Sequence, residues 1–483
     1  MKIVDLLIGG RAVSAKSGAT FDRVDPFTGE VASRAASASI EDADAAVAAA
    51  QAAFPAWSAL PATERRTRLN AAADQLVALT DEIVAAGVAE TGETGPWLGF
   101  NVMLAAGMLR EAASMTTQIN GEILPSDVPG NMAFAVRRPC GVVLGIAPWN
   151  APVILGVRAI ATPLACGNTV ILKASEICPA VHRLIGEALQ RAGLGDGVVN
   201  VITNAPNDAA QIVEHLIAHP AVRRVNFTGS TAVGRKVAQT AAKFLKPVLL
   251  ELGGKAPLLV LDDADVEAAA AATNFGAFAN QGQICMSTER VIVDESVADA
   301  FVAELSKRAK GLSAGDPHAG KTILGAMVSS DAATRVKSLI DDAVSKGAQL
   351  ALGGEVKGAV MQPAIVDRVT PAMRLYAEES FGPVVAVIRV AGDEKAVFAA
   401  NDSAYGLSAA VFSRDIARGL DVASRIQSGI CHVNGPTVHD EANMPFGGVK
   451  DSGYGRFGGK AAIAEFTELR WITVQTGARH YPF

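Results

Sequence analysis

Four short, mainly apolar runs separated by helical stretches constrain the fold more than any other feature of this chain. They cover residues 142–146, 169–172, 198–202 and 224–227, at a spacing of about 25 residues. Strands that are apolar along their whole length have both faces covered, and in alternation with helices they indicate a parallel sheet between helical layers. We therefore predict an α/β chain with a Rossmann-type sheet here. A second α/β series begins at residues 258–261 and continues to about Val433.

Length, charge and cysteine content narrow the class of protein. At roughly 150 residues per domain, 483 residues predict about three structural units. The 43 basic and 49 acidic residues give a net charge of −6 without a basic run longer than two residues, which argues against a nucleic-acid-binding surface. The five cysteines are widely spaced and include no CxxC pair, so neither a disulfide framework nor a metal site is expected.

No targeting or membrane segment is visible in the sequence. Residues 1–11 are too polar for a signal peptide, and no apolar stretch reaches the ~18 to 20 residues that a membrane span needs. We therefore expect a soluble, reduced, cytoplasmic protein that binds neither a membrane nor nucleic acid.

The first third of the chain is predicted to form packing helices. Residues 39–42 resemble a capping box at the start of an alanine-rich helix, which is expected to run to Phe54 and to be followed by a break over residues 55–61. Further amphipathic helices are predicted over about 64–79 and 81–90.

Two other segments look like exposed strands. Residues 132–139 precede the first apolar run, and residues 466–475 alternate polar and apolar side chains near the C-terminus. Unpaired strand edges invite pairing with another chain. Oligomerisation through these segments is one hypothesis, and a solvated hairpin is the alternative.

Cys285 and Glu251 are the candidate nucleophile and base. Cys285 lies directly ahead of an apolar strand, where a loop can present a thiolate to a pocket. Taken alone, a cysteine among apolar residues is more often a small buried hydrophobe. Glu251 lies within an apolar strand, and a buried carboxylate is costly unless it has a partner or a task. Together the two segments predict covalent catalysis assisted by a general base.

Turns that follow the predicted strands are candidate ligand-binding loops. Gly229 and Ser230 open a helix whose free N–H groups suit a pyrophosphate, although such a turn is also a common helix cap. The Asn150 amide can donate to an oxyanion or form an Asx turn. Lys173 can donate to ribose or phosphate oxygens, and the alternative is that it is an ordinary solvated residue at the end of a strand. For Glu379 the alternative is an ordinary charged loop.

These segments, in this order, resemble the aldehyde dehydrogenase superfamily along essentially the whole chain. The matching motifs are Pro148-Trp149-Asn150, Lys173-Ala174-Ser175-Glu176, Phe227-Thr228-Gly229-Ser230, Glu251-Leu252-Gly253-Gly254-Lys255, Gly282-Gln283-Ile284-Cys285, Glu379-Ser380-Phe381-Gly382-Pro383 and Pro445-Phe446-Gly447-Gly448-Val449-Lys450. No catalytic position departs from the family pattern.

The resemblance implies an architecture of three parts. These are a Rossmann-type NAD-binding domain over residues 1–119 and 140–253, an α/β catalytic domain over 254–450, and a small β oligomerisation arm from 120–139 and 466–483. It also implies a homodimer or homotetramer, in which the arm of one subunit extends a sheet of its partner.

The resemblance further implies a role for each motif. Cys285 would attack the aldehyde carbon, the Asn150 amide and the Cys285 N–H would hold the oxyanion, and Glu251 would activate the water that hydrolyses the thioester. Lys173 is counted with these catalytic residues and, with Glu176, would hold the adenosine ribose. The expected cofactor-binding residues are Ile146, Pro148, Trp149, Lys173, Glu176, Phe227, Gly229, Ser230, Val233, Leu252, Gly253, Glu379 and Phe381.

Glu176 favours NAD as the cofactor. A carboxylate that accepts the ribose 2′-OH would repel a 2′-phosphate. NADP is the weaker alternative, because this glutamate can swing aside in members of the family.

The expected substrate pocket is broad and apolar, which fits a planar ring better than a succinate-like chain. Its residues are Trp97, Met103, Trp149, Arg158, Ile284, Met286 and Phe446. Arg158 would either reach a ring hydroxyl or pair with a carboxylate. In detail the chain is similar to bacterial members that act on vanillin, salicylaldehyde and benzaldehyde, which implies NAD-dependent oxidation of a hydroxylated or methoxylated benzaldehyde to the acid.

Several other functions are consistent with parts of this pattern. A semialdehyde or aliphatic aldehyde dehydrogenase would use Arg158 for a distal carboxylate. A CoA-acylating enzyme is disfavoured, because it would not need Glu251 as a base. An inactive relative is disfavoured, because it would not need Cys285, Glu251 and Asn150 together. A cysteine hydrolase would leave the helix start at Gly229 and Ser230 unexplained.

Overall fold

A computed structural model describes residues 1–483, which form fifteen α-helices and three short 3-10 helices. The α-helices are α1 (Ile40–Ser58), α2 (Ala62–Ala78), α3 (Thr80–Thr91), α4 (Gly95–Met115), α5 (Pro152–Ala165), α6 (Pro179–Arg191), α7 (Ala209–Ala218), α8 (Thr231–Lys243), α9 (Val266–Phe278), α10 (Ala298–Ala309), α11 (Ser330–Ser345), α12 (Arg374–Ala377), α13 (Asp393–Asn401), α14 (Ile416–Ser424) and α15 (Gly459–Glu465). The 3-10 helices are Pro206–Asp208, Ala279–Gly282 and Pro317–Ala319.

Twenty-five β-strands alternate with these helices. They are β1 (Lys2–Val4), β2 (Leu6–Ile8), β3 (Arg11–Val13), β4 (Thr20–Val24), β5 (Val31–Ala36), β6 (Glu122–Leu124), β7 (Asn131–Pro139), β8 (Val142–Ile146), β9 (Thr169–Lys173), β10 (Val199–Ile202), β11 (Val222–Thr228), β12 (Val248–Glu251), β13 (Ala256–Val260), β14 (Thr288–Asp294), β15 (Gln349–Leu352), β16 (Val356–Lys357), β17 (Val360–Met361), β18 (Ala364–Asp367), β19 (Val384–Val390), β20 (Tyr405–Gly406), β21 (Ser408–Phe412), β22 (Ile430–Val433), β23 (Val449–Lys450), β24 (Gly453–Tyr454) and β25 (Thr467–Gln475).

The four apolar runs of the sequence form β8, β9, β10 and β11 of the first large sheet. Its eight strands lie in the order β24-β12-β11-β8-β9-β10-β2-β3, and the five from β12 to β10 are parallel. Every residue of β8, β9 and β10 is buried. One face packs on α5 and α6, and the other packs on α1, α7 and α8. The predicted Rossmann-type sheet is therefore confirmed, with one addition: β24 follows the predicted catalytic range and completes an edge of this sheet.

The second α/β series forms a seven-stranded sheet in the order β15-β18-β19-β14-β13-β21-β22. All its strands are parallel except β15, and two separate apolar clusters cover its faces. The first large sheet presents the carboxyl ends of its parallel strands to the candidate site, where α/β folds bind ligands. The second presents the amino ends of its strands, since Cys285 precedes β14 and Glu379 precedes β19.

The segments predicted as unpaired edge strands pair with each other instead. β7 and β25 are antiparallel over nine residue pairs, from Pro139 opposite Thr467 to Asn131 opposite Gln475. β6 pairs with the other side of β7, so β7 is the central strand of a three-stranded sheet and only β25 and β6 are edges. The side chains of Leu469 and Trp471 on β25 are 61% and 73% exposed.

The helices of the first third follow the predictions except at Pro55. The capping box is present, since Ser39 and Asp42 cap each other's backbone N–H groups. However, α1 continues through Pro55 to Ser58. The buried Trp57 donates its indole N–H to the carbonyl of Leu164 at 3.1 Å, which anchors the last turn against α5. No helix of the chain is long and apolar enough to cross a membrane.

Candidate active site

Two cavities meet at Cys285. The first, of about 290 Å³, is lined by Pro148, Trp149, Asn150, Leu155, Thr228, Gly229, Ser230, Glu251, Leu252, Gly253, Cys285, Glu379 and Phe381. The second, of about 300 Å³, is lined by Trp97, Phe100, Leu104, Asn150, Ala151, Ile154, Leu155, Arg158, Phe275, Ile284, Cys285, Met286, Pro436, Val438, His439, Asp440 and Phe446. Asn150, Leu155 and Cys285 belong to both walls. A thiol at this junction can react with a molecule in one cavity while a second molecule occupies the other.

The loop before Cys285 is held in an unusual backbone conformation. Asn280, Gln281 and Gly282 have positive φ angles of 48°, 56° and 69°. The Gln281 side chain bonds the backbone of Gly325 and Ala326, at 3.0 and 2.9 Å. Buried hydrogen bonds of this kind can maintain a conformation that costs a non-glycine residue of the order of 1–3 kcal/mol.

Asn150 is joined to the same loop from the other side. Its side-chain Nδ2 donates to the backbone carbonyl of Gln283 at 2.9 Å. The backbone carbonyl of Asn150 accepts from Asn280 Nδ2 at 2.7 Å and from the Trp97 indole N–H at 3.3 Å. Asn280 Nδ2 also donates to Glu93, whose pKa burial raises to about 8. The backbone N–H of Cys285 donates to no protein group. One amide hydrogen of Asn150 and this N–H are therefore available to an oxyanion.

Glu251 ends β12 inside the first cavity, and its side chain is buried without a hydrogen-bond partner for either carboxylate oxygen. Burial raises its pKa to about 8, and the positive charge of Arg158 acts in the opposite direction. Burial likewise raises the pKa of the Cys285 thiol, and the negative charge of the neighbouring Glu251 raises it further. A carboxyl group with a pKa of about 8 can exchange a proton near neutral pH, as a general base must.

Glu379 and Phe381 close the first cavity opposite Trp149. The Glu379 carboxylate accepts from the backbone N–H of Gly254 at 2.7 Å, and burial raises its pKa to about 7. Phe381 has a positive φ of 49°, and its ring stands edge-on to Trp149 with centroids 5.8 Å apart. This part of the cavity wall therefore consists of one ionisable side chain, Glu379, and two aromatic side chains, Trp149 and Phe381.

The start of α8 and the end of β9 flank this cavity. The Ser230 hydroxyl caps α8 by accepting from the backbone N–H of Val233 at 3.4 Å, and the other N–H groups of the first turn have no partner within the helix. Lys173 Nζ lies 3.0 Å from Glu176. Burial alone would raise the pKa of Glu176, but the charge and hydrogen bond of Lys173, together with a backbone hydrogen bond, give a net lowering.

Five predicted cofactor-binding residues do not line the cavity itself. Ile146 and Phe227 are buried in the core under the strand ends, whereas the Val233 side chain is 46% exposed at the helix start. Lys173 and Glu176 form the ion pair at the end of β9.

Two of the predicted substrate-pocket residues lie elsewhere. Met103 does not line the second cavity and is 59% exposed, because it lies opposite the buried face of α4 that carries Ala105 and Leu109. Trp149 belongs to the first cavity instead. The helical spacing from Trp97 could have identified Phe100 and Leu104, whereas Phe275, Val438 and Asp440 come from remote segments without a local signal.

Arg158 is paired with a carboxylate. Its Nη2 binds Asp440 Oδ2, and the guanidinium carbon lies 4.2 Å from the centroid of the Phe446 ring. Arg158, Asp440 and Phe446 together form part of the wall of the second cavity.

Known proteins resemble this chain over its whole length. The model of the aldehyde dehydrogenase family matches residues 12–472. A vanillin dehydrogenase from Pseudomonas fluorescens is 67% identical and a salicylaldehyde dehydrogenase from Pseudomonas sp. (strain C18) is 48% identical, each over 479 residues that cover 99% of both chains. The crystal structure of a salicylaldehyde dehydrogenase from Pseudomonas putida G7 complexed with salicylaldehyde has a TM-score of 0.98 at 46% identity and covers 100% of both chains.

Proposed function

Because the chain belongs to the aldehyde dehydrogenase family, we propose that it oxidises a hydroxylated or methoxylated benzaldehyde, such as vanillin or salicylaldehyde, to the carboxylic acid with NAD. The observation that carries this proposal is the position of Cys285 between two cavities, one of them lined by Trp97, Phe100, Phe275 and Phe446. The relatives named for vanillin and salicylaldehyde support the same substrate class.

Each catalytic residue has a task that its surroundings allow. The Cys285 thiolate attacks the aldehyde carbon, and the Asn150 amide and the Cys285 N–H stabilise the oxyanion of the thiohemiacetal. Each such donor contributes of the order of 3–4 kcal/mol to the transition state. When bound, the nicotinamide cofactor supplies the acceptor for the hydride that the aldehyde carbon loses. Glu251 then takes a proton from water, and the hydroxide attacks the resulting thioester, breaks the C–S bond and releases the acid and the Cys285 thiolate.

The first cavity and its surroundings fit a nicotinamide dinucleotide. Free N–H groups at the start of α8 suit a pyrophosphate, and Glu379 suits a ribose hydroxyl because its carboxylate faces the cavity. Family members use NAD or NADP. NAD is favoured here because Glu176, whose pKa is lowered beside Lys173, would repel a 2′-phosphate.

The pairing of Arg158 argues against a semialdehyde as the substrate. A distal carboxylate on the substrate needs an uncompensated cation, but the Arg158 charge is already matched by Asp440. The rest of the second cavity is mainly apolar.

We further propose a homodimer or homotetramer built through the β6–β7–β25 sheet. β25 is an edge strand, and Leu469, Trp471 and Val474 expose large apolar side chains along it. Such an edge is suited to pairing with a strand of a second copy.

The proposed function is tested by NADH formation on vanillin, salicylaldehyde, benzaldehyde, succinic semialdehyde and acetaldehyde, with NADP in parallel. We expect the benzaldehydes to have the highest kcat/KM, and Cys285→Ala to abolish turnover while NAD still binds. Preference for succinic semialdehyde, or NADH formation by Cys285→Ala, would overturn the proposal.

A further inference from the structure

The buried ion pair of Arg158 and Asp440 brings two charges into the wall of an otherwise apolar cavity. Their side chains are 6% and 10% exposed. Burying charges is costly even when they are paired, and apolar residues of similar volume often stabilise a protein as well or better. A buried pair is therefore weak evidence of a stabilising role, and a role in the cavity is the alternative.

The pair uses only one oxygen of the Asp440 carboxylate. Oδ2 binds Arg158, whereas Oδ1 is buried and has no hydrogen-bond partner. Buried polar atoms in native proteins nearly always have a partner. Because Asp440 lines the same cavity as Cys285, a bound aldehyde can supply the missing donor.

Other polar groups in this wall are already engaged. The Trp97 indole donates to the Asn150 backbone carbonyl, and the Asn150 amide donates to the Gln283 carbonyl. His439, at the exposed rim, bonds Glu441 at 2.9 Å. Asp440 Oδ1 is thus the buried acceptor available to a ring substituent.

Resting on the proposed oxidation of aromatic aldehydes, we propose that Asp440 Oδ1 accepts a hydrogen bond from a ring hydroxyl of the substrate. Arg158 is the positioning residue, since it fixes Oδ2 and keeps the carboxylate charge compensated. The site therefore selects hydroxybenzaldehydes over benzaldehydes that lack the hydroxyl group, because without a donor Oδ1 stays buried and unpaired.

The test compares three hydroxybenzaldehydes with the three methylbenzaldehydes of the same substitution pattern. A methyl group matches the hydroxyl group in size but cannot donate. In the wild-type enzyme we expect at least one hydroxyl isomer to exceed its methyl partner in kcat/KM by about tenfold or more, which corresponds to ~1.4 kcal/mol. The readout is a ratio, so a general change in activity leaves it unaffected.

The variant Arg158→Met/Asp440→Leu replaces the pair with apolar side chains of similar volume, so no buried charge is left unpaired. We expect its hydroxyl-to-methyl ratio to fall to about one. Asp440→Asn keeps an acceptor and should give an intermediate ratio, which serves as the second test if the double variant does not fold.

Two outcomes overturn the proposal while the proposed function stands. One is turnover of both aldehyde series by the wild type with no hydroxyl preference at any ring position. The other is a preference that persists unchanged in both variants. If no benzaldehyde is oxidised, the proposed function fails, and this inference fails with it.

Discussion

The carboxylate of Glu379 accepts a 2.7 Å hydrogen bond from the backbone N–H of Gly254, in the turn that follows Glu251. This bond ties the loop that carries Glu379 to the strand end that carries the candidate base. A side chain at Gly253 would meet the Glu379 carboxylate, and one at Gly254 would meet the backbone carbonyl of Cys285. Gly253 therefore leaves room for the Glu379 carboxylate, whereas Gly254 leaves room for the backbone of Cys285.

We expect Gly253→Ala and Gly254→Ala to have different kinetic effects. A methyl group at Gly253 displaces the end of the Glu379 side chain, so the KM for NAD should rise while kcat changes less. A methyl group at Gly254 pushes on the backbone of Cys285, and a misplacement of about 1 Å can lower kcat by roughly 100-fold. Steady-state kinetics with varied NAD and varied aldehyde measure both effects. Equal effects of the two substitutions on KM and kcat would contradict this division.

The raised pKa of Glu251 predicts a pH dependence of thioester hydrolysis. The carboxyl group is protonated below its pKa of about 8 and is a base only above it, so hydrolysis should accelerate as the pH rises through about 8. Glu251→Gln should remove this rise and leave a burst of NADH of about one equivalent per active site, followed by slow turnover. Stopped-flow measurements between pH 6 and 10, a range of about two units around that pKa, separate burst from turnover. A retained rise in Glu251→Gln would assign the ionisation to another group.

The sequence predicted those parts of the fold and site that rest on local patterns. β8 to β10 were predictable because they are mainly apolar and buried at every position, and β11 because its second half is buried in the same way. Asn150, Glu251 and Cys285 were selected from their motifs, and all three line the first cavity. Their chemical roles remain predictions.

Features that depend on distant segments could not be predicted. The partner of Arg158 is 282 residues away, and β7 pairs with a strand more than 300 residues later. The break expected over residues 55–61 begins only after Ser58, because Trp57 gains a tertiary anchor on α5, which local propensity does not contain. Met103 was wrongly placed in the substrate pocket, because an apolar residue in the sequence does not show which face of α4 it lies on.

Asn150 can be tested separately from Cys285 and Glu251. Asn150→Ala removes a donor to the oxyanion and also the 2.9 Å bond to the Gln283 carbonyl. We expect kcat to fall by roughly 10²–10³, as when one oxyanion-hole donor is removed elsewhere. Alkylation of Cys285 by iodoacetamide should continue, because it forms no oxyanion. A parallel loss of alkylation would indicate instead that Asn150 mainly holds the loop in place.

Glu289 stabilises the loop that carries Glu379. Its carboxylate accepts from the backbone N–H groups of Ser380, at 3.0 and 2.8 Å, and of Phe381, at 3.1 Å, and it forms a buried ion pair with Lys255. Removing one member of a buried pair leaves the other charge uncompensated, which costs about 3–5 kcal/mol. We therefore expect Glu289→Leu to lower the free energy of unfolding by that amount in denaturant titrations.

The double variant Lys255→Met/Glu289→Leu is the matched control, because no charge is left behind. We expect it to recover most of the lost stability, since an apolar pair can replace a buried ion pair. Both Glu289→Leu and the double variant should bind NAD more weakly than the wild type, because in each the N–H groups of Ser380 and Phe381 lack their acceptor and the Glu379 loop is released. Calorimetric titration with NAD provides the second readout. If stability and NAD affinity recover together, Glu289 acts on the cofactor site only through the charge of Lys255 and not by holding the loop.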